Sequence, residues 1–512
     1  MLKKTCFAIF SAIVLLIAGC STGDDSEEQE KNQSSSEPAQ GGELTIGYYS
    51  DASSYDPLLA SSGGDESLLY FIYDRLVDYG PNFEPEPSLA ESWENIDDKT
   101  WVFHLRKDVT FHDGTPFDAE AVKFNIERAN SEHSNKSDLK FIESVEVVDS
   151  HTVKFHLHEP NSGLLQALMT AAGMMVSPAA VEKYGDEYPL HPTGTGPFKL
   201  ADRNPGNEVT FEKFADYWQE GKPYLDKVNV KVMKESTMVN ALKSGEVDVV
   251  APISAANKKD LESLPNLKID ASSSLNFQYI YINTSLPPLD NQKVRQAIQY
   301  AIDREQLVNA IQFGEGEAAF GIFPKAHPAH VKDSSIRFDQ EKAKQLLEES
   351  GVTELSFNML AKPDAFDIRI AEAVQAQLAE VGIQVNIEPT EVTKLVELAF
   401  SKAEYPATLA RASGRPDPNA LISLYYEESS FYNPGRHANS ELKKLIKDAS
   451  KETDSDKRMK IIAESSRIAI EEDAMGIPLF FEPMIVAFHE KVNGYEPHQY
   501  GKPRFQFLWL EN

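Results

Sequence analysis

The sequence predicts an α/β fold in at least two lobes. A chain of 512 residues exceeds what one hydrophobic core usually organises, so more than one lobe is expected. Residues 101–128 show a period-two strand pattern followed by a helix start, and residues 355–387 place a helical period between two apolar strands. With 41% hydrophobic and 25% charged residues, the composition is ordinary for a soluble globular protein.

Residues 1–19 have the features of a signal peptide. Lys3 and Lys4 supply a positive start, and the apolar run 7–17 is too short to span a bilayer comfortably. The tetrapeptide 17–20, Ile-Ala-Gly-Cys, resembles a bacterial lipobox. We therefore expect Cys20 to carry a lipid anchor, palmitate included. An ordinary secretory signal with a chance cysteine, or an uncleaved membrane helix, are the alternatives.

Residues 20–42 predict a disordered tether, because the segment after Cys20 contains no aromatic or branched aliphatic side chain that could start a core. The whole chain has a formal net charge of -30. That balance argues against a nucleic-acid partner and against adhesion to anionic lipid headgroups.

The ordered part is expected to begin with a strand at 43–49. Residues 68–79 follow as a helix with apolar residues on one face. Residues 141–148 and 151–158 predict a β-hairpin around Asp149-Ser150.

Between these elements lies the segment 90–128. Trp101, Phe103 and Leu105 alternate with polar or smaller residues, which indicates a half-buried strand, and a second short strand is expected at 109–111. Asp113-Gly114 predicts a turn. Asp118 is placed to cap a helix, with Phe117 and Val122 at the positions of a hydrophobic staple.

The segment 192–200, Pro-Thr-Gly-Thr-Gly-Pro-Phe-Lys-Leu, predicts a sharp turn that enters a strand. It lacks the Gly-Lys-Ser/Thr ending of a phosphate-binding loop. Residues 228–232 predict another strand, and the apolar spacing of 291–310 predicts one long helix.

Six segments together resemble the extracellular solute-binding proteins of the peptide and nickel type, family 5, which are receptors that feed ABC importers. They occur in the order that the family has. The segments are 90–128, 192–200, 216–226, 241–248, 281–288 and 293–304.

The resemblance implies a two-lobed fold of the periplasmic-binding-protein type, class II, with mixed sheets flanked by helices. Residues 43–282 would form the first lobe with its extra subdomain, 283–483 the second lobe, and 484–512 the return to the first. The chain would cross between lobes near 280–285 and 480–487. A monomer that docks on an ABC permease with its ATPase subunits is expected.

The segment 408–419 is the most informative candidate site, because an irregular loop follows a strand there. In the family this loop faces the cleft. Peptide-binding relatives carry an aspartate where this chain has Gly414, and nickel-binding relatives can carry a histidine where it has Asn419. Arg411 and Arg415 predict a ligand carboxylate, since the arginine fork pairs with carboxylates.

We also expect Asp417 and Asn419 to contact the ligand, together with Tyr55 beside the opening strand. The aromatic residues near 425–432 are pocket walls or core. The alternative for the arginines is that one pairs with a neighbouring acid and the other is solvated.

Other chemistry finds little support in the sequence. It has no Gly-x-Ser-x-Gly elbow, His-Glu-x-x-His motif or P-loop, so no enzyme and no cofactor is expected. His156 with His158, and His327 with His330, are two pairs with the spacing to bind a metal, but surface histidines are the preferred interpretation and no metal site is assigned.

The predicted function is therefore capture of di- or oligopeptides, or of peptide-like solutes, by closure of a cleft. A receptor for nickel or an opine-type metal chelate, or for a glutathione-like solute, is the alternative. A surface hydrolase or adhesin on the same fold is a remote third. The predicted location is the outer face of the cell membrane, held by the lipid.

Overall fold

The computed structural model describes residues 37–61, 63–81 and 83–511. The predicted signal peptide 1–19, the lipid site Cys20 and most of the predicted tether lie outside the described residues. Within the described ranges, no helix combines the length and the apolar character that a membrane span requires.

The strands are named in chain order. They are β1 Glu43–Tyr48, β2 Val77–Tyr79, β3 Pro85–Pro87, β4 Ala90–Asp97, β5 Thr100–Leu105, β6 Ile142–Asp149, β7 Thr152–Leu157, β8 Phe198–Asn204, β9 Glu208–Lys213, β10 Lys227–Val232, β11 Val249–Ala251, β12 Leu267–Ile282, β13 Glu317–Ala318, β14 Ser356–Ala361, β15 Gln384–Pro389, β16 Ala407–Ala412, β17 Gly476–His489, β18 Val492–Asn493 and β19 Trp509–Leu510.

The α-helices are named in the same way. They are α1 Asp65–Leu69, α2 Ala119–Ala129, α3 Leu164–Leu168, α4 Pro178–Tyr184, α5 Glu235–Ser244, α6 Ala255–Leu261, α7 Gln292–Ala301, α8 Arg304–Gln312, α9 Gln340–Ser350, α10 Ala365–Ala379, α11 Val392–Val396, α12 Pro418–Tyr426, α13 Ser440–Lys451 and α14 Ser455–Arg467.

A large mixed sheet organises the fold, in the order β15-β14-β16-β12-β17-β11-β1-β10-β9-β8, with β13 beside β17. Its centre is the antiparallel pair of the two longest strands, β12 and β17. Their register is interrupted between Ser273 and Phe277, which face Pro483 and Phe481. Such an irregularity bends a strand pair locally.

The buried side chains form separate cores on the two sides of that irregularity. Two cores take their members from 44–261 and 484–508, and two others from 277–481. We call the chain before β12 and after β17 the first lobe, and the chain between these strands the second lobe. The fold is therefore the predicted two-lobed α/β fold.

A four-stranded antiparallel sheet, β4-β5-β7-β6, carries α2 and forms its own core within the first lobe. The Asp118 side chain accepts the Ala121 N–H and caps α2, as predicted. The predicted hairpin is β6 with β7. The predicted strand at 109–111 is wrong, because only an isolated bridge joins Thr110 to Pro116.

The predicted helix 68–79 is also wrong. Helix α1 ends at Leu69, and 77–79 is strand β2. The carbonyls of Phe71 and Ile72 accept hydrogen bonds from the N–H groups of Phe198 and Gly196. This backbone therefore pairs with the 192–200 turn instead of forming a helix. A Cβ at Gly196 would lie 2.4 Å from the Ile72 carbonyl carbon, so close backbone approach explains that glycine.

The predicted helix 291–310 is two helices. Ile302 is extended, and the Asp303 side chain accepts the Gln306 N–H, which ends α7 and starts α8. The apolar spacing continues across the break, and so the break is invisible in the pattern. The β14-α10-β15 unit is confirmed, with the two strands parallel.

The predicted tether extends too far toward the folded chain. Gln40 donates to the Gly221 carbonyl, and the Gly41 N–H donates to the Tyr224 carbonyl. The Gly42 N–H donates to Asp226. These three residues are therefore held against the first lobe, before β1 begins.

Candidate functional site: two adjoining cavities between the lobes

A cavity of about 350 Å³ lies between the lobes. The first lobe lines it with residues near 60–66, Lys136 and Lys502, and the second lobe lines it with 411–415 and aromatic residues of α12 and the loop beyond. We call it the basic cavity. Its size suits a ligand of a few residues, since ligand pockets are about 300 to 1,000 Å³.

Positive charge predominates along the wall of the basic cavity, although the whole protein is acidic. Four cations line it against two acidic residues. They are Lys136, Arg411, Arg415 and Lys502, against Asp65 and Glu66. A small anionic solute would be attracted there in spite of the net charge of -30.

Each predicted arginine has an acidic partner and stays partly exposed. The Arg411 Nε lies 2.9 Å from the Glu482 carboxylate, with 43% of the arginine side chain exposed. Arg415 Nη1 lies 3.2 Å from Asp138 of the first lobe, with 40% exposed. The Arg415–Asp138 pair therefore bridges the two lobes at the edge of the cavity.

The two lysines come from distant parts of the first lobe. The Lys502 Nζ lies 3.0 Å from the largely buried Glu66 carboxylate. Burial would raise the pKa of Glu66, but the charge and hydrogen bond of Lys502 hold that pKa below its ordinary value. Lys136 donates to the Ala60 carbonyl, and its burial lowers the pKa of the ammonium.

Aromatic side chains form the remaining wall. Tyr281, Tyr425 and Tyr432 line the cavity and contact one another, with ring centroids 5.8 to 6.1 Å apart. Burial raises the pKa of Tyr425 to about 12, so its hydroxyl stays protonated at neutral pH and donates to the Ser413 carbonyl. Tyr426 is core instead, with its hydroxyl 3.1 Å from that of Tyr279.

Gly414 is held by packing. A Cβ at this position would lie 2.1 Å from the Leu275 Cβ. An aspartate therefore cannot replace it without a shift of the backbone. Glycine itself presents no side chain to a ligand, and Leu275 occupies the space that a side chain at position 414 would need.

Asp417 and Asn419 lie beyond Arg415, at the start of α12. Asp417 Oδ1 accepts the Asn419 N–H and lies 2.7 Å from the buried Arg458 guanidinium. Both residues line a second cavity of about 660 Å³ on the other side of Arg415. The four predicted residues of the loop are thus brought together, but around two cavities that share Arg415 and Leu424 as walls.

Tyr55 lies apart from both cavities. It is completely buried in the first-lobe core, 6.4 Å from the Phe211 ring, with its hydroxyl 3.2 Å from the Asp51 carboxylate. It has no surface for a solute in this conformation.

The surface position predicted for the histidine pairs is wrong for His327, which is buried. His156 Nε2 lies 3.2 Å from Glu146, and His158 is exposed. His327 stacks on Phe323 and accepts the Ala329 N–H, and burial lowers its pKa to about 4. Across 37–61, 63–81 and 83–511, no group of three or more His, Cys, Asp and Glu side chains is arranged to hold a metal ion.

Sequence reasoning missed the first-lobe half of the basic cavity. Glu66, Lys136 and Lys502 carry no local motif, and Lys502 follows Glu66 by 436 positions in the chain. Only the fold brings them to the 408–419 loop.

Two α/β lobes with ligand-sized cavities between them define a binding protein of the two-lobed type. The family described as bacterial extracellular solute-binding proteins, family 5 Middle, matches residues 84–433. This match covers more than half of the chain. The chain belongs to the bacterial extracellular solute-binding proteins of family 5.

Individual relatives extend the similarity to most of the chain. The glutathione-binding protein GsiB of Escherichia coli O1:K1 is 29% identical over 470 residues, which cover 88% of this chain and 91% of the relative. The ABC transporter-associated periplasmic binding protein DppA of Helicobacter pylori, solved with peptide STSA, has a TM-score of 0.80 at 27% identity, with 93% of this chain and 99% of that chain covered.

A third relative binds a different kind of solute. The binding protein AgaA of A. tumefaciens R10, solved with agropinic acid, has a TM-score of 0.79 at 28% identity. The similarity covers 92% of this chain and 99% of that one.

Proposed function

We propose that this protein is the solute receptor of an ABC importer, and that its solute is a short peptide or peptide-like molecule with a free carboxylate. The basic cavity carries this proposal, because two arginines and two lysines line it in a strongly acidic protein. The relatives bind glutathione and peptide STSA, which supports a peptide-like solute. A glutathione-like tripeptide belongs to this proposed class of solutes.

The arginines have partners that a ligand carboxylate can replace. A half-exposed ion pair contributes about 0 to 1 kcal/mol to stability. A hydrogen bond to a charged group contributes about 1.5 to 3 kcal/mol, and it becomes stronger when closure removes water. Exchange of Asp138 or Glu482 for a ligand carboxylate at Arg415 or Arg411 is therefore favourable when the cleft closes on the ligand.

No covalent step is part of the proposed mechanism. The solute binds one lobe, and contacts from the other lobe stabilise the closed form, which then docks on a membrane permease. Closure follows only as far as the ligand binds the closed form better than the open one. The interrupted pairing of β12 with β17 is our proposed hinge, because it lies where the cores of the two lobes separate.

The proposed cellular location follows from the N-terminal sequence. A lipoprotein signal at 1–19 and a lipid with palmitate on Cys20 would hold a monomer at the outer face of the cell membrane. Labelling with a radioactive or alkynyl palmitate, with Cys20→Ser as the control, tests the anchor.

Calorimetry on the purified mature protein tests the function. We expect saturable binding of glutathione or of the tetrapeptide Ser-Thr-Ser-Ala, weaker binding of the same molecule with its carboxylates amidated, and a smaller radius of gyration in solution scattering when ligand is bound. Unchanged scattering and no heat with either probe would contradict the proposal.

The same titrations separate the alternatives. Binding of nickel or of a nickel chelate, with no response to peptides, would assign the protein to the metal-chelate receptors. Cleavage of a peptide library would instead indicate the remote hydrolase function.

A further inference from the structure

The first lobe contacts the second lobe at the C-terminal end of α13. The last carbonyls of an α-helix have no hydrogen-bond donor within the helix. Two carbonyls at the end of α13, those of Ala449 and Ser450, accept hydrogen bonds from Ser162 of the first lobe. The Ser162 N–H donates to Ser450 at 2.8 Å, and its hydroxyl is shared between Ala449 at 3.0 Å and Ser450 at 3.2 Å. One lobe therefore completes the end of a helix of the other.

Helix α13 has no glycine cap of its own. Helices α5 and α9 each end at a glycine in the left-handed conformation, Gly245 and Gly351, which is a common way to satisfy the last carbonyls. After α13 comes Glu452, which is extended, with φ -74° and ψ 120°, and whose N–H donates to the Asp448 carbonyl. The end of α13 thus relies on donors from outside the helix.

The buried Arg458 joins the end of α13 to the start of α12. Its side chain is enclosed, its Nε donates to the Ala449 carbonyl at 3.1 Å, and its Nη2 lies 2.7 Å from Asp417 Oδ1. Asp417 Oδ1 also accepts the Asn419 N–H at the start of α12. These bonds hold the two helix ends as one surface of the second lobe.

The turn 161–163 of the first lobe meets that surface through a glycine. Asn161 Oδ1 accepts the Gly163 N–H at 2.8 Å, which fixes the turn. Gly163 has φ -88° and ψ 5°, a conformation that other residues also adopt. A Cβ at this position would lie 2.4 Å from Asp417 Oδ2. The close approach of the other lobe, and not the backbone conformation, therefore requires a glycine here.

We propose that the turn 161–163 and the surface formed by Asp417, Arg458 and the end of α13 are a latch that holds the two lobes closed. The latch consists of protein atoms alone, so it favours closure before a solute binds, and the solute adds its contacts to a form that is already populated. The affinity for the solute then depends on the latch, because a smaller closed population weakens binding in proportion. This inference rests on the lobe motion of the proposed function. It assigns Asp417 to closure of the lobes instead of to contact with the solute.

Gly163→Ala tests the latch, because Asp417 Oδ2 opposes the added methyl group only when the lobes are closed. In solution scattering of the mature protein without ligand, we expect a larger radius of gyration than for the wild type. Calorimetry with glutathione or with Ser-Thr-Ser-Ala should show binding about tenfold weaker, as a tenfold smaller closed population requires. Gly321→Ala is the matched control and should change neither quantity. Its Cβ would make an ordinary contact of 3.5 Å with Ser466 Oγ inside the second lobe, and Gly321 lines neither cavity.

A second substitution separates the clash between the lobes from strain within the turn. The methyl group of Gly163→Ala would also lie 3.1 Å from Asn161 Oδ1 of its own lobe. Asp417→Ser removes Oδ2 and keeps an oxygen that can cap α12. In this background, Gly163→Ala should change the radius of gyration much less than in the wild type, since the opposing atom of the second lobe is gone. Melting curves verify that each variant is folded.

Two results overturn the inference alone. One is a radius of gyration and an affinity for Gly163→Ala equal to those of Gly321→Ala. The other is an equal effect of Gly163→Ala with Asp417 and with Asp417→Ser. The scattering comparison needs no ligand, so it tests the latch even if neither glutathione nor the tetrapeptide binds to the wild type. That failure of binding would overturn the proposed function instead.

Discussion

The basic cavity and the second cavity share the wall formed by Arg415 and Leu424, yet they differ in the balance of charges that line them. In the first, cations from both lobes converge. In the second, four acidic residues line the wall against three cations, and they are Asp138, Glu159, Asp417 and Glu427 against Arg415, Lys443 and Lys447. The net formal charge of the lining is therefore positive in the basic cavity and negative in the second cavity.

The largest effect is expected at the shared wall. Arg415→Ala should weaken binding of a peptide with a free carboxylate by about ten- to a hundredfold, because it removes the charge-assisted hydrogen bond that we propose between Arg415 and the ligand carboxylate. Calorimetry measures this. Arg467→Ala is the control, since Arg467 has acidic partners and similar exposure but lines neither cavity. Equal affinity in the two variants would remove Arg415 from the site.

Lys502 tests the basic cavity alone. Lys502→Met should weaken binding of the free peptide by about tenfold and binding of the C-amidated peptide much less. Only the free peptide has a terminal carboxylate that the lysine can contact. The double variant Lys502→Met with Glu66→Gln should regain thermal stability that the single variant loses, since Glu66 is then neutral. Lys491→Met, at an ion pair with Asp248 outside both cavities, is the control. A similar loss for both peptides would indicate general damage.

A hydrogen-bonded contact between the lobes beside the second cavity allows a test of closure. The Ser162 Oγ donates to the carbonyls of Ala449 and Ser450 at the end of α13, across the two lobes. Ser162→Ala should weaken ligand binding by about three- to tenfold and raise the radius of gyration of the free protein, because it removes support from the closed form only. Scattering and calorimetry measure both.

Ser244→Ala is the control for Ser162→Ala, since the Ser244 hydroxyl donates to a helical carbonyl within one lobe. If both variants close equally, the Ser162 hydrogen bonds do not influence the equilibrium between the open and closed forms. Ligand contacts alone would then account for closure.

The smallest effect concerns two glutamates with opposite pKa shifts. Burial raises the pKa of Glu427 in the second cavity, and Lys443 opposes this shift. Burial would also raise the pKa of Glu66, but Lys502 lowers it below its ordinary value. A raised pKa means that the folded state holds the proton more tightly, so the Glu427 contribution to stability falls as pH rises through about 4.5 to the folded pKa. The Glu66 contribution is present above about pH 4.5 and is lost as pH falls through the folded pKa.

Melting curves between about pH 3.5 and 6.5 check these signs. Glu427→Gln should raise the melting temperature near neutral pH by about 1 °C, and Glu66→Gln should lower it. The same sign for both variants would show that the two cavities do not differ in electrostatic character.

The sequence by itself determined the elements whose causes are local. The Asp118 cap, the β6-β7 hairpin and the β14-α10-β15 unit depend on neighbouring residues, and each was predictable. The irregular loop after a strand at 408–419 was also predictable, and its Arg411 and Arg415 line the basic cavity. Predictions were wrong where backbone from a distant part of the sequence determines the local structure. This is the case at 71–72, whose carbonyls accept hydrogen bonds from the 192–200 turn.

Only the tertiary structure decided the partners of that loop. Glu482 and Asp138 reach the two arginines from β17 and from the first lobe, and Lys502 reaches Glu66 from the opposite end of the chain. Tyr55 lies in the first-lobe core beside Phe211 and lines neither of the two cavities. A charge pattern in sequence does not specify distance, and electrostatic complementarity depends on distances of a few ångströms between residues hundreds of positions apart.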